Sequence, residues 1–355
     1  MNKKYIIVTG ISLITLLFVV VLLNFLNHKT YNSPYPQYQP EVVHFNQKIC
    51  VKPPQRPGQF NFTVSTEGVG EEPQSESESH RRTRQNRFER QISTWVETNV
   101  PSCAYFWYED WASRDAITRM RVTSEGRQVL TAFLSVASSH FIRLKDIKGF
   151  KSKNKNIEKW LKKMATPIKS NYDRNRDLAT YASHYWTLWA RMATAVATSE
   201  KGLYNHSEKQ YKIFTSEISE DGKLFEETYK FKDDYNYSSS PTGYVFSVAP
   251  LIMVAETLTV NGTDGYALSN GKIHKLVKRI LDELDSNQIT IQETTDDAPY
   301  YMGELTKQDF AWLEVYHKRF PSAQTEKWVK QLRPLSSRFL GGNLTKLYAE
   351  EKTTD

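Results

Sequence analysis

Ser183-His184-Tyr185-Trp186-Thr187-Leu188-Trp189-Ala190-Arg191-Met192-Ala193-Thr194-Ala195-Val196-Ala197-Thr198 carries two apolar stripes at once. Tyr185, Trp189, Met192 and Val196 recur at the spacing of one helix face, and Trp186, Ala190, Ala193 and Ala197 mark its neighbour. Spacings of three and four place side chains together on an α-helix. A helix apolar on adjoining stripes must be covered from more than one side, so this stretch predicts a central helix of an all-α body. The flanks repeat the pattern. Val129, Leu130, Phe133, Leu134, Val136, Ala137 and Phe141 predict a helix before it, and Ile157, Trp160, Leu161, Met164, Ile168 and Tyr172 another. After it, Ser240-Pro241 reads as an N-cap with proline at the first helical position, opening a helix through Val248, Leu251, Ile252, Val254 and Ala255. Ile273, Leu276, Val277, Ile280 and Leu281 follow, with Asp221-Gly222, Asn261-Gly262 and Asn270-Gly271 as turn signals. Alternating strand patterns are nearly absent. The expectation is a domain of repeated helical hairpins over residues 86–350.

Towards the N-terminus the character changes. Ile6 to Leu26 holds roughly 20 residues without a charge, enough to cross a bilayer. Lys3 and Lys4 before it place residues 1–5 in the cytoplasm by the positive-inside rule. A cleaved signal peptide is the alternative, but the stretch is long for one and Leu23 to His28 offers no small-x-small cleavage site. Residues 6–26 are therefore read as a transmembrane anchor, with the body outside the cytoplasm. Pro34, Pro36, Pro40, Pro53, Pro54 and Pro57 deny regular helix to the next segment, and residues 27–85 read as a Pro/Ser-rich stalk and lead-in. Within Glu71 to Arg90 the acidic first half reads as a loop and the basic second half as the opening of a helix. Its arginines, interleaved with Glu89, suit a solvated helix face better than a nucleic-acid contact.

Composition bounds the chemistry. The 355 residues are 25% charged and 39% hydrophobic, which is globular. Two cysteines exclude a disulfide-dense scaffold and a multi-cysteine metal site; Cys50 and Cys103 are either joined or two separate thiols. Forty-seven Lys and Arg against 40 Asp and Glu give a net charge of +7, which suits an anionic partner. Twenty Tyr, 17 Phe and 8 Trp exceed what a sequence of this size needs, and although most must serve packing, aromatics beside basic residues also line carbohydrate clefts. No Gly-rich phosphate loop, H-E-x-x-H helix or G-x-S-x-G elbow is present, and no metal or cofactor is expected.

The stretch from Ser183 to Thr198 resembles the Asn-Asn-His-x-Tyr-Trp-x-x-Trp helix of the α/α-toroid alginate lyases. The resemblance continues in order through Leu203-Tyr204, Gln210-Tyr211-Lys212, Asp221-Gly222-x-Leu224, Ala249-Pro250-Leu251-Ile252-Met253-Val254-Ala255 and Ala311-Trp312-Leu313-Glu314-Val315-Tyr316. It ends in Arg338-Phe339-Leu340-Gly341-Gly342-Asn343-Leu344-Thr345-Lys346-Leu347-Tyr348, and upstream Cys50-Val51-Lys52-Pro53-Pro54 is similar to the family's Cys-Pro-x-Pro-Pro. The resemblance implies an incomplete α/α toroid behind the transmembrane helix. It also implies cleavage of a uronate-containing polysaccharide by β-elimination, without a cofactor. With the anchor, it implies a single-pass protein of the bacterial inner membrane whose C-terminal domain faces the periplasm, beside exopolysaccharide export machinery. The partner is an acidic polysaccharide, not nucleic acid.

Such elimination removes the proton at C5, α to a carboxylate. Donors must neutralise that carboxylate, a base must reach C5 and an acid must protonate the departing O4. The resemblance assigns proton transfer to a His and a Tyr. His184 is the first candidate, although an ungapped alignment puts Ser183 in that place. Counting back from Pro250-Leu251 puts Phe246, which cannot transfer a proton, at the tyrosine's place; Tyr244 and Tyr237 are the alternatives. Lys230 and Lys232, with Ser183, are candidates for carboxylate neutralisation, and Tyr185 and Trp186 for substrate binding. The altered motif leaves three readings: a lyase for a uronate polymer other than plain alginate, a non-catalytic tethered binder of acidic exopolysaccharide, or a structural envelope component.

Overall fold

The computed structural model describes residues 30–36, 50, 76–98, 100–118, 124–147, 150, 154–169, 181–225, 240–292 and 305–349. The chain divides into two units, Met1–Tyr31 and Asn32–Asp355, and the helical architecture is that of the second. The expected anchor at 6–26 lies outside the described residues, as do Lys230, Lys232 and Tyr237.

Among the described residues, ten helices alternate between two rows. The inner row holds α1 (Glu76–Glu97), α3 (Ser124–Leu144), α5 (Tyr181–Thr198), α7 (Pro241–Val260) and α9 (Trp312–Arg319). The outer row holds α2 (Pro101–Ser113), α4 (Asn154–Lys169), α6 (Lys201–Ser216), α8 (Leu268–Asp285) and α10 (Ala323–Leu332). Each inner helix touches the next inner one, and each outer helix packs on the inner helix before it. These are the repeated helical hairpins that the periodicity predicts, in the toroid arrangement that the resemblance implies. The Ser183–Thr198 stretch lies in α5, which contacts α3, α4, α6 and α7, and covering on four sides is why it needs two apolar stripes.

Local chemistry sets the boundaries. At the start of α7, Ser240 Oγ accepts from the Gly243 N–H at 3.2 Å, with Pro241 behind it. Ser269, Asn270 and Gly271 all have positive φ, so the expected Asn-Gly turn appears as a kink within α8. Within the acidic half of Glu71 to Arg90, residues 76–80 depart from the expected loop: they already belong to α1, because nothing between Glu76 and Glu97 is a proline or glycine that would stop a helix. Among the described residues, strands are confined to two-residue pairings, Ile291–Gln292 with Leu305–Thr306 and Ser336–Ser337 with Gly342–Asn343. By length and composition α7 could cross a membrane, but it is largely buried within the body and is a core helix.

Much of the aromatic surplus is core. Phe88 of α1 stacks on Trp111 at 4.1 Å and meets Trp107, Tyr108, Phe133 and Trp160 within 6.4 Å, joining four helices in one cluster. Such pairs contribute about 0.5–1.5 kcal/mol each beyond burial. Described residues of the lead-in, 32–36 and 50, belong to the same body. Cys50 and Cys103 form a disulfide with 5.3 Å between Cα atoms, tying the lead-in to α2. Asn32 exchanges hydrogen bonds with the end of α7, donating to Val260 O at 2.9 Å and Asn261 Oδ1 at 2.8 Å. Tyr35 donates to Leu340 O at 2.8 Å, and Tyr348 of the short α11 (Leu344–Tyr348) donates to Pro34 O at 2.7 Å. The C-terminal signature is therefore tied to Pro34 and Tyr35, and the neighbouring Asn32 is bonded to the end of α7.

Candidate active site

The Trp186 side of α5 faces α7 and the C-terminal turn, Arg338–Leu340, which packs on α1, α3 and α7. Trp186 meets the ring of Phe246 at 5.2 Å and that of Phe339 at 6.0 Å. Its indole N–H donates to Phe246 O at 3.1 Å, and the Trp189 indole donates to Phe339 O at 2.9 Å. Trp186 is 5% exposed and Trp189 fully buried, whereas Phe246 and Phe339 are partly exposed. The Arg338 guanidinium lies 4.7 Å from the centroid of the Phe339 ring and 3.8 Å from the buried carboxylate of Glu89. The result is a partly exposed aromatic patch with a cation at its edge, backed by two buried indoles.

The backbone under this patch is tightly fixed. Gly341 and Gly342 both adopt left-handed φ, at 100° and 103°. A Cβ on the first would strike the Tyr35 ring, and on the second the Glu97 carboxylate, so only glycine fits there. Arg143 donates to Gly341 O at 2.6 Å. Burial raises the Glu97 carboxyl above its ordinary range, against the pull of Arg143. One helical turn from Arg143, His140 is fully buried, with Nδ1 on Val136 O at 2.9 Å; burial and the Arg143 charge push it down to about 3.

Helix phase decides which sequence candidates can join the patch. Each residue turns about 100° around an α-helix. Ser183 stands about 60° from Trp186, is partly exposed, and so shares the patch side of α5. His184 stands about 160° away, on the opposite flank, and is 8% exposed. Tyr185 turns to the outer row, where its ring meets Phe214 of α6 at 5.0 Å. Tyr244 and Phe246 part in the same way on α7. While Phe246 reaches Trp186, Tyr244 is buried and donates its hydroxyl to Glu283 of α8, with Arg279 4.3 Å from the centroid of its ring and bonded to the same carboxylate at 2.8 Å. Of the substrate-binding pair, then, Trp186 backs the patch while Tyr185 is an outer-row packing residue. The expected convergence of His184 with Tyr244 is not what the helices produce, because the spacing within each helix turns these side chains away from Trp186 and Phe246.

Sequence reasoning passed over Phe246, Phe339 and Arg338 as site residues. A signal existed: a basic residue and an aromatic one stand just ahead of a Gly-Gly pair, in a stretch weighed only as framework. Among the described residues no group of His, Cys, Asp or Glu could hold a metal ion. The patch can offer apolar ring faces to the C–H surface of a sugar, a guanidinium to a carboxylate, and the Ser183 hydroxyl as a hydrogen-bond donor.

Two rows of paired helices around such a patch define an incomplete α/α toroid. Comparison with known proteins takes the assignment further. Residues 71–291 match the family model described as alginate lyase. An alginate lyase of Pseudomonas syringae pv. syringae is 30% identical over 256 residues, covering 69% of this chain and 65% of the relative. One from Cobetia marina is 30% identical over 262 residues, covering 69% and 66%. The chain belongs to the alginate lyase family. Its matched part spans 65–66% of the length of these relatives. The crystal structure of alginate lyase A1-III from Sphingomonas species A1 shares the fold, with a TM-score of 0.59 and 19% identity over 92% of this chain and 88% of that one. A tyrosine-to-phenylalanine variant of alginate lyase A1-III, complexed with tetrasaccharide, gives a TM-score of 0.65 at 20% identity over 87% and 88%.

Proposed function

We propose that the protein is a polysaccharide lyase that cleaves alginate or a related uronate polymer by β-elimination. The observation that carries this reading is the family match, which runs from α1 to the first strand and includes both helices of the aromatic patch, α5 and α7. The patch supplies what a carboxylated sugar needs at its binding face: Phe246 and Phe339 to stack on, and Arg338 to hold the carboxylate. A carboxylate held by a cation lowers the barrier to C5 proton loss, because the developing second charge is met by a fixed positive group. Ser183 adds a donor beside it. Since Tyr244 is committed to Glu283, Tyr237 becomes the tyrosine proposed for proton transfer, seven residues after the proposed cation Lys230. An anchor at 6–26 would hold this activity on the periplasmic side of a bacterial inner membrane, close to exopolysaccharide export.

The test is incubation of the full-length protein in detergent with alginate and a panel of other acidic polysaccharides. Ultraviolet absorbance of the unsaturated uronate product is followed. A rise with alginate is expected, and Arg338→Ala should raise KM about tenfold, the effect of losing one charge-assisted contact. One observation favours a second reading, a non-catalytic binder: the residue facing the patch ahead of Tyr-Trp is Ser183, which is not a base at neutral pH. Binding of acidic polymers with no absorbance from any of them would establish that reading and overturn the first.

A further inference from the structure

Pro250 lies inside α7 and has no N–H to give. The carbonyl it would have served is that of Phe246, four residues earlier, and a proline ring also crowds that oxygen. This is the oxygen to which the Trp186 indole donates, at 3.1 Å. The lost helical bond of α7 is thus replaced from α5. Three residues further along α5, Trp189 does the same for the C-terminal turn, donating at 2.9 Å to Phe339 O within a three-residue helix that has few bonds of its own. Both carbonyls belong to the phenylalanines whose rings form the partly exposed front of the patch. The indoles themselves are nearly or fully buried, so neither can offer a face to a sugar.

We propose that Trp186 and Trp189 are positioning residues, whose indole N–H groups hold the backbones of Phe246 and Phe339 and so set the spacing and tilt of the two rings that receive the sugar. Trp186 and Pro250 act as a matched pair: the proline frees a carbonyl that the indole then uses to lock α7 against α5. The ligand of the platform rests on the polysaccharide lyase reading; the matching of indole to proline does not.

The test is a double-mutant cycle in the full-length protein. Trp186→Phe keeps an aromatic ring and removes the donor. It is expected to lower Tm by a few degrees and raise KM for the polymer about tenfold, with kcat within about twofold, since a partly buried carbonyl loses its indole donor. Pro250→Ala restores a main-chain N–H four residues after Phe246. In that background Trp186→Phe is expected to cost little in Tm or KM. Trp189→Phe should raise KM equally in both backgrounds, because its carbonyl has no link to Pro250. Should Trp186→Phe alone fail to fold, recovery of folding in the Pro250→Ala background is the expected result. Equal damage from Trp186→Phe in both backgrounds, or no damage in either, overturns the positioning role. The Tm arm needs no substrate, so it still decides the pairing if the protein proves not to be a lyase, and polymer Kd then replaces KM. Coupling in Tm without coupling in KM or Kd overturns the sugar-platform part alone.

Discussion

The last inner hairpin and the α5–α7 contact treat buried polarity in opposite ways. Around α9, charges are closed on each other. Glu314, 1% exposed, takes both Arg333 nitrogens at 2.7 and 2.8 Å and the Thr345 hydroxyl at 2.5 Å. Glu256 takes Arg319 at 2.5 and 2.8 Å, with the Tyr266 hydroxyl at 3.3 Å. From α5 to α7 and to the C-terminal turn the bonds instead run from neutral indoles to main-chain carbonyls, and the cation at the edge, Arg338, lies 3.8 Å from Glu89. A carboxylate fully engaged by its own arginine has nothing to offer an incoming anion. Arg338 instead rests on the Phe339 ring, beside the aromatic patch, with the buried Glu89 carboxylate near it. The contrast separates a region closed by ion pairs from the one proposed here to receive the sugar.

Breaking the first region should therefore affect folding and leave the chemistry alone. Glu314→Ala strands Arg333 and removes the acceptor of Thr345. Losing one partner of a buried pair costs several kcal/mol; with Arg333 about a third exposed, about 2–3 kcal/mol is expected here. Urea denaturation should show that loss, while activity per folded molecule stays at the wild-type level. A comparable fall in kcat would mean that the two regions are not separable.

The next expected effect is a slope of stability with pH, centred on the support beneath the patch. His140 binds its proton with a pKa of about 3 when folded, against an ordinary 6.5. Between those values the unfolded chain holds more protons than the folded one, so stability is fully present above about 6.5 and falls as pH drops towards 3. Glu97 works in the opposite sense, since burial raises its carboxyl above 4.5. Thermal unfolding of His140→Gln beside wild type isolates the histidine: the loss of Tm between neutral and mildly acidic pH should shrink in the variant. An unchanged slope would place the acid sensitivity elsewhere.

The two regions were unequally legible in the sequence. Periodicities of three and four gave the helices, and Ser240-Pro241 gave the start of α7 to the residue, because those signals are local. The C-terminal ion pairs were not legible, since Glu314 and Arg333 lie 19 residues apart on elements whose docking no pattern states. At the site the difficulty was rotational. Ser183 and His184 are neighbours in sequence yet about 100° apart on the helix, and which one faces α7 depends on where Trp186 is held. That in turn follows from Pro250, 64 residues away, a link that only the folded backbone makes visible. Motif resemblance located the helices of the site and could not set their phase.

Tyr244 offers the finest test of that phase, with the smallest expected effect. If it were the proton-transferring phenol, Tyr244→Phe would lower kcat by a factor of about 10²–10⁴, the usual contribution of a general acid or base. The structure instead gives its hydroxyl to Glu283, under Arg279, on the α8 side of α7. Tyr244→Phe should then cost about 1 kcal/mol or less, because Glu283 keeps Arg279 as its partner and the ring keeps its packing. Turnover should be nearly unchanged. Measuring kcat and the urea midpoint on the same preparation distinguishes the outcomes: a small shift in the midpoint with full turnover supports the α8-facing assignment, while full stability with lost turnover would return Tyr244 to the active site and require α7 to present a different face to the substrate.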